Sequence, residues 1–228
     1  MNVYIKILIV FSGFSLMQAQ LNEFGFFGGG NSFMGDIGEE KIYTPEGWYG
    51  SLYYKRNFNP WMSIRAEVLY TRTNIYDSKA LNTGRKLRNW SAQMATTQVN
   101  FLLEYNFIPL NPYKRPKTIL STPYLASGIS GFQHNAGVNL NPSGNVAYAG
   151  YGLALPMIFG IKFSLSRSVK AHWELAAYYY FNDNMDASRQ ADVFPVALTN
   201  RYSNDWYIMS GIGFSIGFGK MPCYINVF

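Results

Sequence analysis

The stretch DWYIMSGIGFSIGF, residues 205–218, alternates between two kinds of side chain. One set of alternate positions is apolar apart from a single serine: Trp206, Ile208, Ser210, Ile212, Phe214, Ile216 and Phe218. The other set is mostly small: Tyr207, Met209, Gly211, Gly213, Ser215 and Gly217. Because successive side chains of a strand point to opposite faces, the pattern predicts a strand with one face for lipid and one for a narrow interior.

Similar alternation recurs along the chain and predicts seven further strands. They fall within residues 48–54, 62–70, 91–107, 151–165 and 171–181, and more weakly within about 23–34 and 122–132. A secreted β-sandwich would also alternate, but its water-facing side would carry many Lys and Glu residues. The polar faces here are mostly Gly, Ser and Tyr, and charged residues are only 14% of the chain, against about 25% in ordinary domains. The sequence therefore predicts an all-β fold, an eight-stranded antiparallel up-and-down transmembrane β-barrel.

The N-terminus has the features of an export signal. Lys6 precedes an apolar run over residues 7–17, and Ala19 provides a small residue at a cleavage point. The run is too short to span a bilayer as a helix, which needs about 20 apolar residues. We therefore expect a cleaved signal peptide over residues 1–19, an outer-membrane barrel over 20–218 and a periplasmic tail over 219–228.

Connection lengths predict how the barrel is oriented. Residues 58–60 and 166–169 form tight turns, whereas long connections are predicted at 37–45, 77–89, 135–148 and 184–203. Outer-membrane barrels have short periplasmic turns and long external loops. An even number of strands then places both termini in the periplasm. The connection over residues 108–119 is the exception, because it is long and lies on the side of the short turns.

No catalytic or metal-binding pattern stands out in the chain. The glycines at 28–30 are not followed by a helix pattern, as a phosphate-binding loop requires, and no serine-nucleophile motif is present. His134 is predicted to begin an external loop, and His172 to face the lumen. We therefore expect no enzyme activity, no cofactor, no metal, no nucleic acid and no small-molecule substrate, and outer-membrane lipid as the surroundings.

Charged residues are predicted inside the barrel as well. The inward positions include Arg65, Glu67, Glu104, Lys162 and Glu174. They could be assembled into a catalytic site, but buried charges in a filled barrel are more often ion pairs with a structural role. Lys162 and Glu174 lie on strands joined by a tight turn centred on Ser168, so we expect them to form a cross-strand pair.

The predicted periplasmic rim is basic. Its cations are Lys55, Arg56, Lys114, Arg115, Lys117, Arg167, Lys170 and Lys220, and Glu23 is the acid near them. Such a rim is either a response to lipid head groups or a docking surface for an acidic periplasmic partner. Cys223, the chain's single cysteine, follows the last strand. An unmatched exported cysteine is either an idle thiol or a partner in an intermolecular disulfide.

Several segments, taken in order, resemble the PorG-like outer-membrane proteins of the type IX secretion system in Bacteroidetes. FGFFGGGNSFMGDIG, residues 24–38, resembles the family's first strand, and YNFIPLNPYKRPK with TPYLASGISGF resembles its long periplasmic turn and fifth strand. LPMIFGIKFSLSRSVKAHWELAAYYYF is similar to strands six and seven. NDWYIMSGIGFSIGFGKMPCY, residues 204–224, is similar to the closing strand with its cysteine-containing tail. The segment NDNMDASRQADV departs from the Asp-rich stretch usual in the family.

The resemblance implies a non-enzymatic role in protein secretion. Proteins of this family associate with a periplasmic ring, built from a lipoprotein and its partner, and tie it to the outer membrane. The basic rim and Cys223 would make those contacts here. The alternative is a general small barrel that stabilises the envelope or acts as an adhesin through its external loops.

Overall fold

The computed structural model describes residues 22–34, 44–81, 83–109, 120–140, 144–166, 168–181 and 205–219. Eight strands dominate the described chain: β1 (Asn22–Met34), β2 (Gly47–Asn57), β3 (Met62–Tyr76), β4 (Ser91–Asn106), β5 (Leu120–Leu140), β6 (Gly144–Ser164), β7 (Val169–Tyr180) and β8 (Trp206–Phe218). A one-turn 3₁₀ helix (Asp77–Lys79) and a short helix, α1 (Thr83–Arg88), lie between β3 and β4. Within these residues no helix is long and apolar enough to cross a membrane.

The strands form a closed antiparallel barrel. Each strand pairs with the next one along the chain, and β8 returns to pair with β1 along its whole length. This confirms the predicted fold class. We call the end with the β2–β3 and β6–β7 connections the tight-turn end, and the opposite end the long-loop end. That the tight-turn end faces the periplasm remains a prediction.

Side chains divide between the wall and the lumen as the alternation predicted. On β8, Ile212 and Ile216 are about 60% exposed, while Tyr207 and Ser215, at positions of the opposite face, are almost completely buried. The other strands show the same division, and large apolar residues cover the outer wall. An apolar outer wall around a polar interior is the arrangement that a membrane-spanning barrel requires.

The β5–β6 hairpin is longer than predicted. Residues 135–148 were expected to form an external loop, but β5 continues to Leu140 and β6 begins at Gly144. β4 extends far enough to pair with this part of β5, from Ser91 opposite Asn139, and Val138 faces inward and is 4% exposed. His134 consequently lies inside strand β5 and is buried, not at the start of a loop.

Glycines allow the first and last strands to approach closely where the barrel closes. Gly29 of β1 lies opposite Gly211 of β8. A Cβ atom on Gly29 would lie 2.1 Å from the backbone oxygen of Ser210 and 2.5 Å from the Gly211 Cα. Neither contact can be relieved by turning a side chain, so any larger residue must push the closing strands apart.

We therefore expect Gly29→Ala to weaken the barrel by about 1–3 kcal/mol, the usual range for overpacking. Gly131→Ala is the matched control, because a Cβ there meets no atom within 4 Å, and it should change stability by less than about 0.5 kcal/mol. Urea unfolding in lipid vesicles and heat-modifiable gel mobility would measure both. Equal stability of the two variants would contradict the role given to this seam.

Candidate functional site: the filled lumen

One buried carboxylate organises the tight-turn end of the lumen. The Oε2 of Glu23 on β1 lies 2.9 Å from the Nζ of Lys55 on β2, and its Oε1 accepts a hydrogen bond from Lys170 on β7. Ser215 of β8 donates to Oε2 at 3.1 Å, and Asn57 donates to Oε1 at 2.8 Å. Glu23 therefore links β1 to both of its neighbours and to β7.

A second carboxylate, Glu104 on β4, lies beside the first. Lys162 of β6 forms an ion pair with it and also donates to the Oδ1 of Asn106 at 2.6 Å. The Ser63 hydroxyl donates to Glu104 at 3.0 Å. Lys55 lies 3.6 Å from the same carboxylate, so Lys55 connects the Glu104 cluster to that of Glu23.

The middle of the lumen is occupied by Arg65 of β3 and Glu174 of β7. The Arg65 Nη1 lies 2.5 Å from the Glu174 carboxylate, which also accepts a hydrogen bond from the Tyr124 hydroxyl. The guanidinium carbon lies 5.5 and 5.6 Å from the ring centres of Tyr53 and Phe27. These contacts are within the range of cation–π interactions, and they stabilise a guanidinium that water does not reach.

Glu67 of β3 has neutral partners instead of a cation. The Ser51 hydroxyl donates to its carboxylate at 2.5 Å, and the Asn100 amide donates at 3.2 Å. Asn100 also donates to the Tyr178 hydroxyl at 3.1 Å. This network continues the polar packing from the ion pairs toward the long-loop end.

Aromatic rings fill the lumen near the long-loop end. Tyr180 accepts a hydrogen bond from Gln98, and its ring lies 4.6 Å from that of Phe132 and 5.6 Å from that of Tyr207. Phe33 packs on Tyr207 at 5.0 Å. The tyrosine hydroxyls form hydrogen bonds within the lumen, and the rings occupy space from which water is thereby excluded.

Acidic and basic side chains are matched in number over the tight-turn end and the middle of the described lumen. The inward-facing acids there are Glu23, Glu67, Glu104 and Glu174, and the bases are Lys55, Arg65, Lys162 and Lys170. Two further acids, Asp77 and Asp205, are buried toward the long-loop end. Such a lumen has neither the open path nor the one-signed lining of an ion channel.

The structure corrects the predicted partners of Lys162 and Glu174. Both side chains face the lumen, but Lys162 lies opposite His172, and Glu174 lies opposite Gly160. Lys162 pairs with Glu104, and Glu174 pairs with Arg65. The β6–β7 hairpin is centred on residue 167, since Ser164 pairs with Lys170, and not on Ser168. When the centre of a turn moves by one residue, the residue opposite each strand position changes by two.

Lys55 was predicted to lie on the basic rim, and this is wrong. Its side chain is 1% exposed and points inward to Glu23 and Glu104, because it shares the inward face of β2 with Tyr53. Lys170 forms an ion pair with Glu23, and its side chain is 13% exposed. Arg56 is half-buried. The remaining rim residues, Lys114, Arg115, Lys117, Arg167 and Lys220, lie outside the described residues, as does Cys223.

A contact between His172, Ser215 and Glu23 was not foreseen from the sequence. The His172 Nε2 lies 2.9 Å from the Ser215 Oγ, which donates to Glu23. A serine nucleophile needs its proton accepted by the imidazole. Here the carboxylate accepts that proton, so the imidazole is the donor to Ser215. All three residues are about 1% exposed or less, and the arrangement is a structural link between β7, β8 and β1.

No grouping of His, Cys, Asp and Glu within the described ranges could hold a metal ion. His134 shows why a lumen histidine need not be a ligand. Its ring packs 5.7 Å from Phe132 and 5.4 Å from Tyr148. It contributes to the aromatic packing of the long-loop end.

The closed strand order, the apolar wall and the polar, filled lumen define a small eight-stranded transmembrane β-barrel. The chain belongs to the family described as a domain of unknown function (DUF6089), whose model matches residues 2–227. A search of curated proteins finds no match.

Solved structures similar to this barrel include a major outer membrane protein from Thermus thermophilus. It has 13% identity and a TM-score of 0.51, covering 88% of this chain and 100% of that one. Ail, the attachment invasion locus protein of Yersinia pestis, has 10% identity and a TM-score of 0.49, covering 89% and 100%. The outer membrane protein OprG of Pseudomonas aeruginosa has 10% identity and a TM-score of 0.48, covering 89% and 97%. At identities this low, the similarity to the Thermus protein supports the fold alone.

We expect Glu174→Leu to destabilise the barrel by about 3–5 kcal/mol, because Arg65 would remain buried without its ionic partner. In the double variant Arg65→Met with Glu174→Leu, both charges are gone, and most of the lost stability should return. Urea unfolding in lipid vesicles measures both. A double variant no more stable than the single one would show that the ion pair itself does not account for the loss.

We also expect the purified protein to form no steady channel in planar bilayers, because side chains fill the lumen over its described length. A porin reconstituted under the same conditions serves as the positive control. Sustained porin-like conductance by this protein would contradict a filled lumen.

Proposed function

We propose that this protein is a non-enzymatic outer-membrane component of the type IX secretion machinery, which anchors the periplasmic ring that contains a lipoprotein. The observation that carries the proposal is the filled lumen. A barrel without an internal passage has only its outer wall and its two ends with which to act. An anchor uses these surfaces, namely the wall for the membrane and one end for the partner.

The resemblance to PorG-like proteins supports the identity of the machinery. Three of the segments that carry it fall on well-defined strands, namely β1, the β6–β7 hairpin and β8. Of the NDWY motif, Asp205, Trp206 and Tyr207 are described, and they stand at the start of β8 beside the long-loop end. The segments with the cations and the cysteine, residues 110–119 and 220–228, lie outside the described residues, and in the sequence they follow the tight-turn ends of β4 and β8.

Contacts with the ring are assigned to the tight-turn end. Because Lys55 is buried in the lumen, the candidates for contact with the ring are Lys114, Arg115 and Lys117 in the β4–β5 connection, together with Arg167 and Lys220. Cations on a rim attract an acidic partner and orient its approach. Cys223 adds a thiol in the tail that follows β8, close in sequence to Lys220. Its proposed partner is the ring lipoprotein.

A second candidate function is supported by the shape of the long-loop end. β6 pairs with β7 from Ala154 onward, so the strand residues 135–140 of β5 and 144–150 of β6 extend beyond the β7 end. Tyr151, at the base of this extension, is 85% exposed. A projecting hairpin of this kind suits an envelope-stabilising or adhesive role through the external face.

Reversing the charge of one end distinguishes the two functions. We expect a variant with Lys114, Arg115 and Lys117 changed to Glu to lose the ring lipoprotein and its partner on capture from native outer membranes. The matched control changes Arg72, Lys79 and Lys86 to Glu, since these three exposed cations lie toward the long-loop end. Mass spectrometry of the captured proteins measures the result. Because exposed charges mainly affect association, both variants should fold.

The same membranes, with free thiols blocked and no reductant, test the covalent contact. A higher-mass species should appear on the gel and disappear with reductant or in Cys223→Ser. Retention of the ring by the Lys114–Arg115–Lys117 variant, together with a fully free Cys223 thiol, would overturn the anchor. Loss of binding partners only in the Arg72–Lys79–Lys86 control would favour the external role.

A further inference from the structure

The outer wall carries a groove that the lipid-facing residues around it do not fill. It is open to the outside, has a volume of about 600 Å³ and spans strands β4 to β8. Its floor follows one row of directly opposed residues, each on the next strand along the barrel wall. The row consists of Leu103, Ser127, Met157, Ala177 and Ile208. We call this feature the wall groove.

The wall groove results from two small side chains placed between large ones. Ser127 and Ala177 alternate with three large residues along the row. The row nearest on the tight-turn side carries Tyr105, Leu125, Phe159 and Leu175. On the long-loop side, Leu155 and Tyr179 stand opposite each other. The two small residues therefore mark depressions with bulky residues above and below them.

The floor of the wall groove presents no free hydroxyl. The Ser127 Oγ donates to the backbone oxygen of Pro156 at 2.8 Å. Around Pro156 the pairing of β5 with β6 is interrupted, since Gly128 and Ile129 lack register partners on β6, and proline has no N–H to donate. Ser127 thus donates a hydrogen bond to the Pro156 carbonyl where the β5–β6 pairing is interrupted. A ligand of this floor must be apolar.

The position of the wall groove identifies its occupant. It lies within the apolar wall and is continuous with the surface that meets the membrane hydrocarbon. Leu103 is close to the tight-turn end of β4, whereas Ile208 is close to the long-loop end of β8. The groove therefore runs obliquely across the wall. At its upper end stands the aromatic pair Tyr179 and Trp206, with ring centres 5.1 Å apart, and such pairs mark the interfacial level of a membrane barrel.

The dimensions suit a single hydrocarbon chain. Five strands give four inter-strand spacings of about 4.8 Å, a length of roughly 19 Å. One leaflet of a bilayer whose hydrocarbon core is about 30 Å thick measures roughly 15 Å. The groove is thus longer than one leaflet is thick, and a chain that enters beneath the aromatic pair and follows it obliquely extends toward the tight-turn end.

We propose that the wall groove binds one acyl chain of a membrane lipid from the leaflet at the long-loop end. The chain lies over Ala177 and Ser127, between the bulky rows, and its head group remains at the level of Tyr179 and Trp206. This site is independent of the ring-anchoring function, because it involves the wall and neither end.

The test uses vesicles of phosphatidylcholine that contain a small fraction of a phospholipid with a photoactivatable group in the middle of its chain. After illumination, mass spectrometry maps the labelled residues of the reconstituted full-length protein. In the wild type, labelling should concentrate on the β5, β6 and β7 segments of the groove. Ala177→Phe fills the groove and should reduce that labelling to the level found on the rest of the wall, because the chain then meets the same contacts there as elsewhere in the hydrocarbon.

The matched control is Gly50→Phe, which places the same side chain on the outer face of β2, a strand that does not line the groove and where a Cβ atom has room, and it should leave the labelling unchanged. Heat-modifiable gel mobility checks that both variants fold, and Ala177→Leu replaces Ala177→Phe if the latter does not. Labelling spread evenly around the barrel, or unaffected by filling the groove, would overturn the proposal. A dimer in native mass spectrometry that Ala177→Phe dissociates would assign the groove to a second copy instead, and would also overturn it.

Discussion

The width of an eight-stranded ring is the constraint on which the rest of this structure depends. A sheet closed after eight strands leaves an interior that side chains fill, so every inward position must be small, aromatic or matched in charge. Glu23 illustrates the consequence, because its single carboxylate is satisfied from β2, β7 and β8 at once. Closing the barrel therefore brings together the partners of Glu23, which come from strands at both ends of the chain.

The same constraint separates the functional surfaces of the molecule. Because the polar side chains point inward and bind one another, they stabilise the barrel and are not available to a solute. His172 and Ser215 show this most clearly, since residue types that serve as base and nucleophile elsewhere hold three strands together here. The surfaces that can bind a partner are the membrane-facing wall and the two ends. The proposed anchor uses the tight-turn end, and the wall groove lies on a different surface.

The wall is less uniform than its composition suggests. Lipid contacts are usually satisfied by any apolar residue, so small residues at Ser127 and Ala177 are not required for membrane insertion. Their effect depends on neighbours that are distant in sequence. Five strands bring them into one row between bulky residues, and Pro156 interrupts the ladder beneath. A fold that is simple in topology can in this way carry a shaped surface.

The sequence alone determined the fold class, the number of strands and the face of each clear strand, because side-chain alternation is local and survives any shift of register by two residues. It placed Arg65, Glu104, Lys162 and Glu174 in the lumen for the same reason. The tertiary structure decided which charges form ion pairs. Lys162 binds Glu104 across the lumen, 58 residues away in the sequence. The β6–β7 turn is centred one residue earlier than predicted, so Lys162 does not lie opposite Glu174. The tertiary structure also decided that Lys55 is buried and that β5 and β6 extend past residue 135, because the first depends on Glu23 and Glu104 of other strands and the second on pairing with β4.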